Sequence, residues 1–156
     1  LPAVASSTYI RPAVPADLPQ LRAIAARSYQ HTRFAFDSHF PRDRVQALYE
    51  EWIRRSCEGF AERVLVVELA GMVAGYTSCH LEPGGIGRIG LVGVDEHMRG
   101  RGLAPALVDA AIAFFAEAGC TEARVATQAR NIVAQRLYQN RHFVTREVGL
   151  WYHLWF

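Results

Sequence analysis

The apolar positions along this chain change period several times, and each change marks an element. Tyr9 to Ala13 is short and stopped by prolines, which predicts a first strand. Behind Asp17, a good N-cap residue, Leu18, Leu21, Ile24 and Ala25 recur at helical spacing and predict a helix ending near Tyr29 or His31. From Pro41 a second helix carries Val45, Leu48, Tyr49, Trp52 and Ile53 as one apolar stripe. Between the two helices, Gln30 to Phe40 mixes aromatic and polar residues without a period.

Strand patterns fill the middle. Val64–Leu69 and Val73–Leu81 flank an Ala70-Gly71 hairpin turn, and Ile86–Val94 follows the Pro83-Gly84-Gly85 turn as the third strand of a meander. Gly90 and Gly93 inside that strand predict a bulge, or a place where an extended ligand comes close. Gly102 to Ala118 reads as an apolar helix ended by Gly119, Glu122–Thr127 as a buried strand, and Asn131 to about Asn140 as the last helix. Phe143–Thr145 and Gly149–Phe156 predict two closing strands. Leu150 to Phe156 is apolar on both alternating faces, which suits a strand covered on both sides or a homodimer contact. The expected order is β-α-α-β-β-β-α-β-α-β-β, an α+β fold with a mixed, mostly antiparallel sheet flanked by helices. Residues 9–156 read as a single domain, and residues 1–8 as a disordered or cloning-derived N-terminus.

Composition narrows the chemistry. With 51% hydrophobic residues and a net charge of +2, the 156 residues exclude disorder and leave no unbalanced basic field for nucleic acid. All 17 basic residues are arginine, so a lysine Schiff base, a pyridoxal phosphate anchor and a P-loop lysine are excluded. Cys57, Cys79 and Cys120 are scattered, which fits a reducing cytoplasm. The histidines show no metal-ligand spacing, so no metal is expected. Leu103 to Ala116, the longest apolar stretch, is broken by Asp109 and too short to span a membrane.

The informative segment runs from Val92 to Ala104. A strand ends, a glycine-rich turn follows, and an apolar helix begins, so successive N–H groups converge at the positive end of a helix dipole. Such a concavity takes phosphate or pyrophosphate, and Arg99 and Arg101 add matched donors. Alone, this is also an ordinary turn. A second segment, Asn131 to Tyr138, starts a helix with Asn131, Ala134 and Tyr138 placed a turn apart.

Together these segments resemble the GCN5-related N-acetyltransferase family (GNAT). Arg99-Gly100-Arg101-Gly102-Leu103-Ala104 is similar to its [R/Q]-x-x-G-x-[G/A] loop, and Asn131-x-x-Ala134-x-x-Leu137-Tyr138 to its N-x-x-A-x-x-L-Y helix. Within the family the chain most resembles bacterial dTDP-amino-sugar acetyltransferases of the dTDP-fucosamine type, through Ser28–Phe34, Arg88–Leu91 and Arg124–Gln128.

The resemblance implies acetyl-CoA as acetyl donor, lying between the strands that end at Val94 and Thr127. Val92, Gly93 and Val94 would meet the pantetheine, and Arg99, Gly100, Arg101, Gly102, Leu103 and Ala104 the pyrophosphate. Asn131 would hold the pantetheine or pyrophosphate end, and Tyr138 would be the general acid near the sulfur. The acceptor, a small-molecule amine, would face Tyr29–Phe40, with Tyr29, His31, Arg33, Phe34, His39 and His80 as substrate-binding residues. No carboxylate lies in Ile86–Val94, so His80, Glu82, His31, Asp37, His39 and water all stay open as general base. Two other readings remain: a protein N-terminal or other amine acetyltransferase, and a non-catalytic acyl-CoA-binding module. One departure is His142-Phe143, where the family has Gly-Phe; an altered exit from the last helix is expected.

Overall fold

A computed structural model describes residues 8–156 of the chain. The β1 strand (Thr8–Pro12) is followed by α1 (Leu18–Ser28), a one-turn α2 (Arg33–Phe36) and α3 (Arg42–Arg55). The meander is β2 (Arg63–Leu69), β3 (Met72–Glu82) and β4 (Ile86–Val94); α4 (Leu103–Glu117), β5 (Glu122–Val125) and α5 (Ile132–Gln139) complete the elements. The strands lie in the order β1-β2-β3-β4-β5, antiparallel throughout except for the parallel β4–β5 pair. A parallel pair needs a long crossover, and α4 supplies it.

Helices cover both faces. Leu21, Ile24, Val45, Tyr49 and Ile53 of α1 and α3 pack with Val64, Val66, Tyr76 and Leu91 on one face. On the other, Val108, Ala111 and Phe115 of α4 join Leu65, Cys79, Ile89 and Tyr138. Each fully buried aliphatic or aromatic side chain contributes roughly 1.5–3 kcal/mol, so these two layers hold the sheet between them. The Ala70-Gly71 turn has both residues left-handed, at φ 52° and 79°, as a two-residue hairpin requires.

Several expectations change. The α+β architecture holds, but residues 144–156 form no strand, so the two closing strands are absent. Leu150, Trp151, Tyr152 and Leu154 are exposed rather than covered on both faces. The rings of Trp151, His153 and Trp155 instead find partners on residues 33–40, so this tail is spent on loop contacts and not on a ladder. Without those strands β5 is a sheet edge, two residues shorter than expected and half-buried. The aperiodic stretch after α1 contains the α2 turn, capped by the Thr32 side chain accepting from Ala35 N–H. The first strand begins at Thr8; residues 1–7 of the expected disordered N-terminus lie outside the described residues.

Asp17 does not cap α1 with its side chain. Arg11 of β1 reaches it with two N–H groups, at 2.7 and 3.0 Å, and Val14 N–H donates to the same carboxylate at 2.8 Å. Arg11 is also bound to Glu68 of β2. A charge-assisted pair outcompetes a neutral cap, and it ties β1 to the start of α1. Hydrogen bonding from Arg11 holds the Asp17 carboxyl below the usual carboxylate range. A lowered folded pKa stabilises the fold above about pH 4, the unfolded value, and that stability fades as pH falls through the folded one. Asp17→Asn should therefore cost about 2 kcal/mol in urea unfolding at pH 7, with the deficit shrinking as the pH falls below about 4.

The exit of α5 is unaltered, contrary to expectation. His142 takes the left-handed conformation at φ 64°, with His142 N–H donating to Gln139 O at 3.0 Å and Phe143 N–H to Tyr138 O at 3.1 Å. These are the paired bonds of a Schellman stop, and they hold a non-glycine residue in the glycine conformation. His142→Gly should raise unfolding stability by about 1 kcal/mol, read by urea denaturation, with the helix end unchanged.

Candidate active site

The site begins with a fork in the sheet. β4 pairs with β5 only from Ile86/Glu122 to Ile89/Val125, and beyond that point the β4 edge has no neighbour strand among the described residues. A bulge turns the strand there, because Ser78 of β3 faces both Gly90 and Leu91 of β4. The Ser78 hydroxyl accepts from Leu91 N–H at 2.9 Å. A Cβ on Gly90 would stand 2.5 Å from His80 Nε2 and 2.7 Å from Ser78 Oγ, so only glycine fits the bend. Asp95 N–H donates back to Ala74 O of β3 at 2.8 Å. By the alternation of a strand, the main-chain groups of Val94 and Val92 point the other way, into the gap, while Gly93 N–H faces β3.

Below the fork the chain makes a nest of donors. None of the N–H groups from Arg99 to Ala104 meets a protein acceptor among the described residues, and no side chain caps α4. Gly100 and Gly102 are left-handed, at φ 74° and 75°, and a Cβ on either would meet nothing within 4 Å. The nest is thus open, sits at the positive end of α4, and is flanked by the exposed Arg99 and Arg101.

Tyr138 arrives from the helical side. It is buried in the cluster with Ile89 and Val125, the last paired residues of the fork, and Val92 packs against the same cluster. Burial pushes its phenol up to about 12. Asn131 is the N-cap of α5: its Oδ1 accepts from Ala134 N–H at 3.1 Å, which leaves only its amide NH₂ to donate outward.

The other face brings together three of the six expected acceptor residues, Tyr29, Arg33 and Phe34. The Tyr29 and Tyr76 hydroxyls are hydrogen-bonded at 2.8 Å, and the Tyr76 ring lies against Gly93. Burial raises the Tyr29 phenol well above its ordinary value, and the nearby Tyr76 and Tyr138 groups add to the shift. Tyr29 stacks on Tyr49 at 4.2 Å. Arg33 lies over the Phe34 ring at 4.6 Å, and Phe34 meets Phe40 edge-on. His31 is exposed and apart from this group.

Three base candidates separate. Glu82 is bound to Arg88. Asp37 has both oxygens engaged, by His153 Nδ1 at 2.7 Å and Trp155 Nε1 at 3.0 Å on one side and His39 on the other. The His153 bond first, then the His39 main chain, holds the Asp37 carboxyl low. His80 is buried beside Phe60, and its Nε2 has no partner. Burial, then Arg88, lowers its pKa, so the ring is neutral at pH 7.

Tyr76, Arg130, His153 and Trp155 lie against the expected acceptor segment, a placement not legible in the sequence. The spacing of Tyr76 matched a core strand position, and no local pattern reports that the tail returns to the loop after α1. Arg130 lies over the Phe36 ring at 3.5 Å, bridging the β5 side of the fork to α2. Among the described residues no helix is long and apolar enough to cross a membrane, and no group of three His, Cys, Asp or Glu converges.

Comparison with known proteins fits this arrangement. The model of the acetyltransferase (GNAT) family matches residues 19–143. A dTDP-fucosamine acetyltransferase of Escherichia coli O6:H1 is 32% identical over 124 residues, which is 78% of this chain and 52% of the relative. The spore coat polysaccharide biosynthesis protein SpsD of Bacillus subtilis is 26% identical over 149 residues, 92% of this chain and 50% of the relative. The chain spans about half the length of these curated relatives. In fold, the PaiA N-acetyltransferase of Thermoplasma acidophilum, solved with coenzyme A, has a TM-score of 0.78 at 14% identity, over 92% of this chain and 93% of that one. The matched segment takes in the fork, the donor nest and the Tyr138 helix, and the chain belongs to the acetyltransferase (GNAT) family.

Proposed function

We propose that this chain is an acetyl-CoA-dependent N-acetyltransferase that moves the acetyl group directly onto a primary amine, with an amino-sugar nucleotide as the acceptor class. The observation that carries the reading is the unspent run of N–H groups from Arg99 to Ala104 at the start of α4, beside an open strand edge. Acetyl-CoA supplies the activated acetyl group as a thioester. The residues fit it: the nest and the Arg99 and Arg101 guanidinium groups take the diphosphate, and Gly100 and Gly102 leave its oxygens room. The free edge at Val92 and Val94 takes the amides of the pantetheine arm as a strand would, and the Asn131 NH₂ donates to the same arm.

Val92 N–H faces the gap, so it is the group that donates to the carbonyl oxygen as negative charge develops there; Gly93 N–H is turned towards β3. Tyr138 donates a hydrogen bond to the departing sulfur. With the phenol near 12 and an ordinary thiol near 8.5, complete proton transfer is uphill, so Tyr138 keeps its proton while steadying the thiolate, and sulfur takes its proton from solvent. On the acceptor side, Tyr29 is hydrogen-bonded to Tyr76, which is buried against Gly93, and Phe34 and Arg33 lie on the same face. His80 is neutral and has a free Nε2, which suits it to draw the amine's proton through a bridging water.

The dTDP-fucosamine acetyltransferase among the relatives supports the acceptor class. A homodimer is part of the same reading: β5 is an unpaired edge, and Leu150, Leu154 and Phe156 are exposed for a second copy to cover. Release of CoA thiol from acetyl-CoA, followed with a panel of amino-sugar nucleotides, simple amino sugars, peptides and alkylamines, tests the activity. Amine-dependent release strongest with the sugar nucleotides is expected. Coenzyme A binding with no release for any amine would make the chain a binding module instead.

A further inference from the structure

Two guanidinium groups beside the acceptor loop have no carboxylate to neutralise them. Arg11, Arg88 and Arg124 are each tied to an acidic side chain, whereas Arg33 and Arg130 have no ion pair among the described residues. Both are carried on aromatic rings instead. Arg33 lies between Phe34, at 4.6 Å, and Trp151 of the tail, at 4.2 Å; Arg130 lies over Phe36 at 3.5 Å. A guanidinium held over a ring face is positioned without spending its in-plane N–H donors. Those donors then match phosphate oxygens two at a time.

Both groups rest on rings of the same turn, α2. Arg33 and Phe36 are its first and last residues, three apart, so their Cβ atoms are neighbours at about 5–6 Å on one face. Phe36 carries Arg130, which comes from the far bank of the fork. Arg33 is also near the tyrosine stack, because the Phe34 ring it covers packs on the same apolar cluster as Tyr29 and Tyr49. The nearest acid in sequence, Asp37, has both oxygens occupied by His39, His153 and Trp155. The result is a cationic pair at the acceptor side with its counter-charge missing.

We propose that Arg33 and Arg130 form a diphosphate subsite for the acceptor, distinct from the Arg99–Ala104 nest, so that the amine is delivered on a nucleoside diphosphate. This rests on the acetyltransferase reading above and specifies its acceptor. The tail contributes through Trp151, which fixes Arg33, while His153 and Trp155 fix the loop that presents it.

The test is calorimetric titration of thymidine diphosphate, and separately of inorganic pyrophosphate, into the full chain already saturated with coenzyme A. Saturation blocks the nest, so heat that persists reports a second anion site. Binding of thymidine diphosphate is expected to persist, and to weaken on the order of tenfold in Arg33→Gln or Arg130→Gln and further in the double variant. Arg33→Lys, which keeps the charge but loses the planar fork, should recover only part of the affinity. Pyrophosphate binding with the same dependence assigns the contact to phosphate rather than base. Loss of the thymidine diphosphate signal on adding coenzyme A, or equal affinity in wild type and double variant, overturns the proposal. Arg130→Gln weakening coenzyme A but not thymidine diphosphate overturns it as well, by placing Arg130 on the donor side. Coenzyme A affinity measured alone in the same proteins stands or falls separately, and the variant dependence reads out with or without it.

Discussion

Tyr138→Phe should lower kcat by on the order of 10²-fold while leaving coenzyme A affinity within about twofold. The substitution removes one oxygen from a buried ring and keeps the packing against Phe143 and the Ile89–Val125 cluster, so the fold and the cofactor cleft persist. Only the phenolic hydroxyl, the proposed donor to the sulfur, is lost. Because burial holds the phenol near 12, it is protonated throughout the working range, and the ratio of wild-type to variant rate should be flat between about pH 6 and 9. A steady-state pH series with both proteins measures this. An unchanged kcat would remove Tyr138 from the mechanism, and a ratio that changes tenfold per pH unit would mean that the phenol titrates where the structure says it does not.

Gly102→Asp should weaken coenzyme A by on the order of 10²-fold or more, with little loss of stability. Gly102 is the N-cap of α4 at φ 75°, with open space around its Cβ position. Aspartate tolerates that conformation better than most residues, and its carboxylate would reach the free amides of the first helical turn. It would consume the donors that the diphosphate needs and stand as a like charge in its place. Hydrogen bonds to charged groups are worth about 1.5–3 kcal/mol each, so losing two of them is sufficient for the expected effect. Melting temperature and coenzyme A titration on the same sample separate the two consequences. A variant that binds coenzyme A as tightly as wild type would show that the ligand lies elsewhere. A variant that unfolds would mean that Gly102 is there for its conformation alone.

The strand edges, the α4 helix and the bend at Arg99–Ala104 were legible because each rests on local chemistry. The β4 boundaries follow from β-branched residues between turns, and the glycines at 100 and 102 are where the backbone is left-handed. Gly90 announced the bulge for a comparable reason: a strand that drops its side chain does so where something must pass close. What failed was non-local. Residues 149–156 have the continuous apolar run of a covered strand, yet Asp37 captures His153 and Trp155 and no ladder forms. Asp17 has the composition of a cap and serves Arg11 instead, because a guanidinium six residues away is a stronger partner than a helix amide. His142 shows the opposite case, in which the surrounding hydrogen bonds impose a conformation that the residue disfavours. The tyrosine pair across β3 and α1 depends on a sheet register that no single segment encodes.

The roles of the loop and the tail meet at α2. Arg33, Phe34 and Phe36 project from one turn, and Trp151, His153 and Trp155 close on it from outside. The loop that carries the expected acceptor residues is held by a tail distant in sequence, whereas the proposed donor site is drawn from two contiguous motifs, residues 92–104 and 131–138. A contiguous motif is readable locally, and a contact between loop and tail is not.

If the unspent amides of Arg99–Ala104 hold the diphosphate of the acetyl carrier, isothermal titration with and without that diphosphate reads it directly. Coenzyme A and pantetheine share the thiol arm, but only the former carries the diphosphate and nucleotide. Coenzyme A should bind the wild-type chain with measurable heat and on the order of 10²-fold more tightly than pantetheine, an advantage that Gly102→Asp abolishes. No heat with coenzyme A, or equal affinity for the two, would contradict the account.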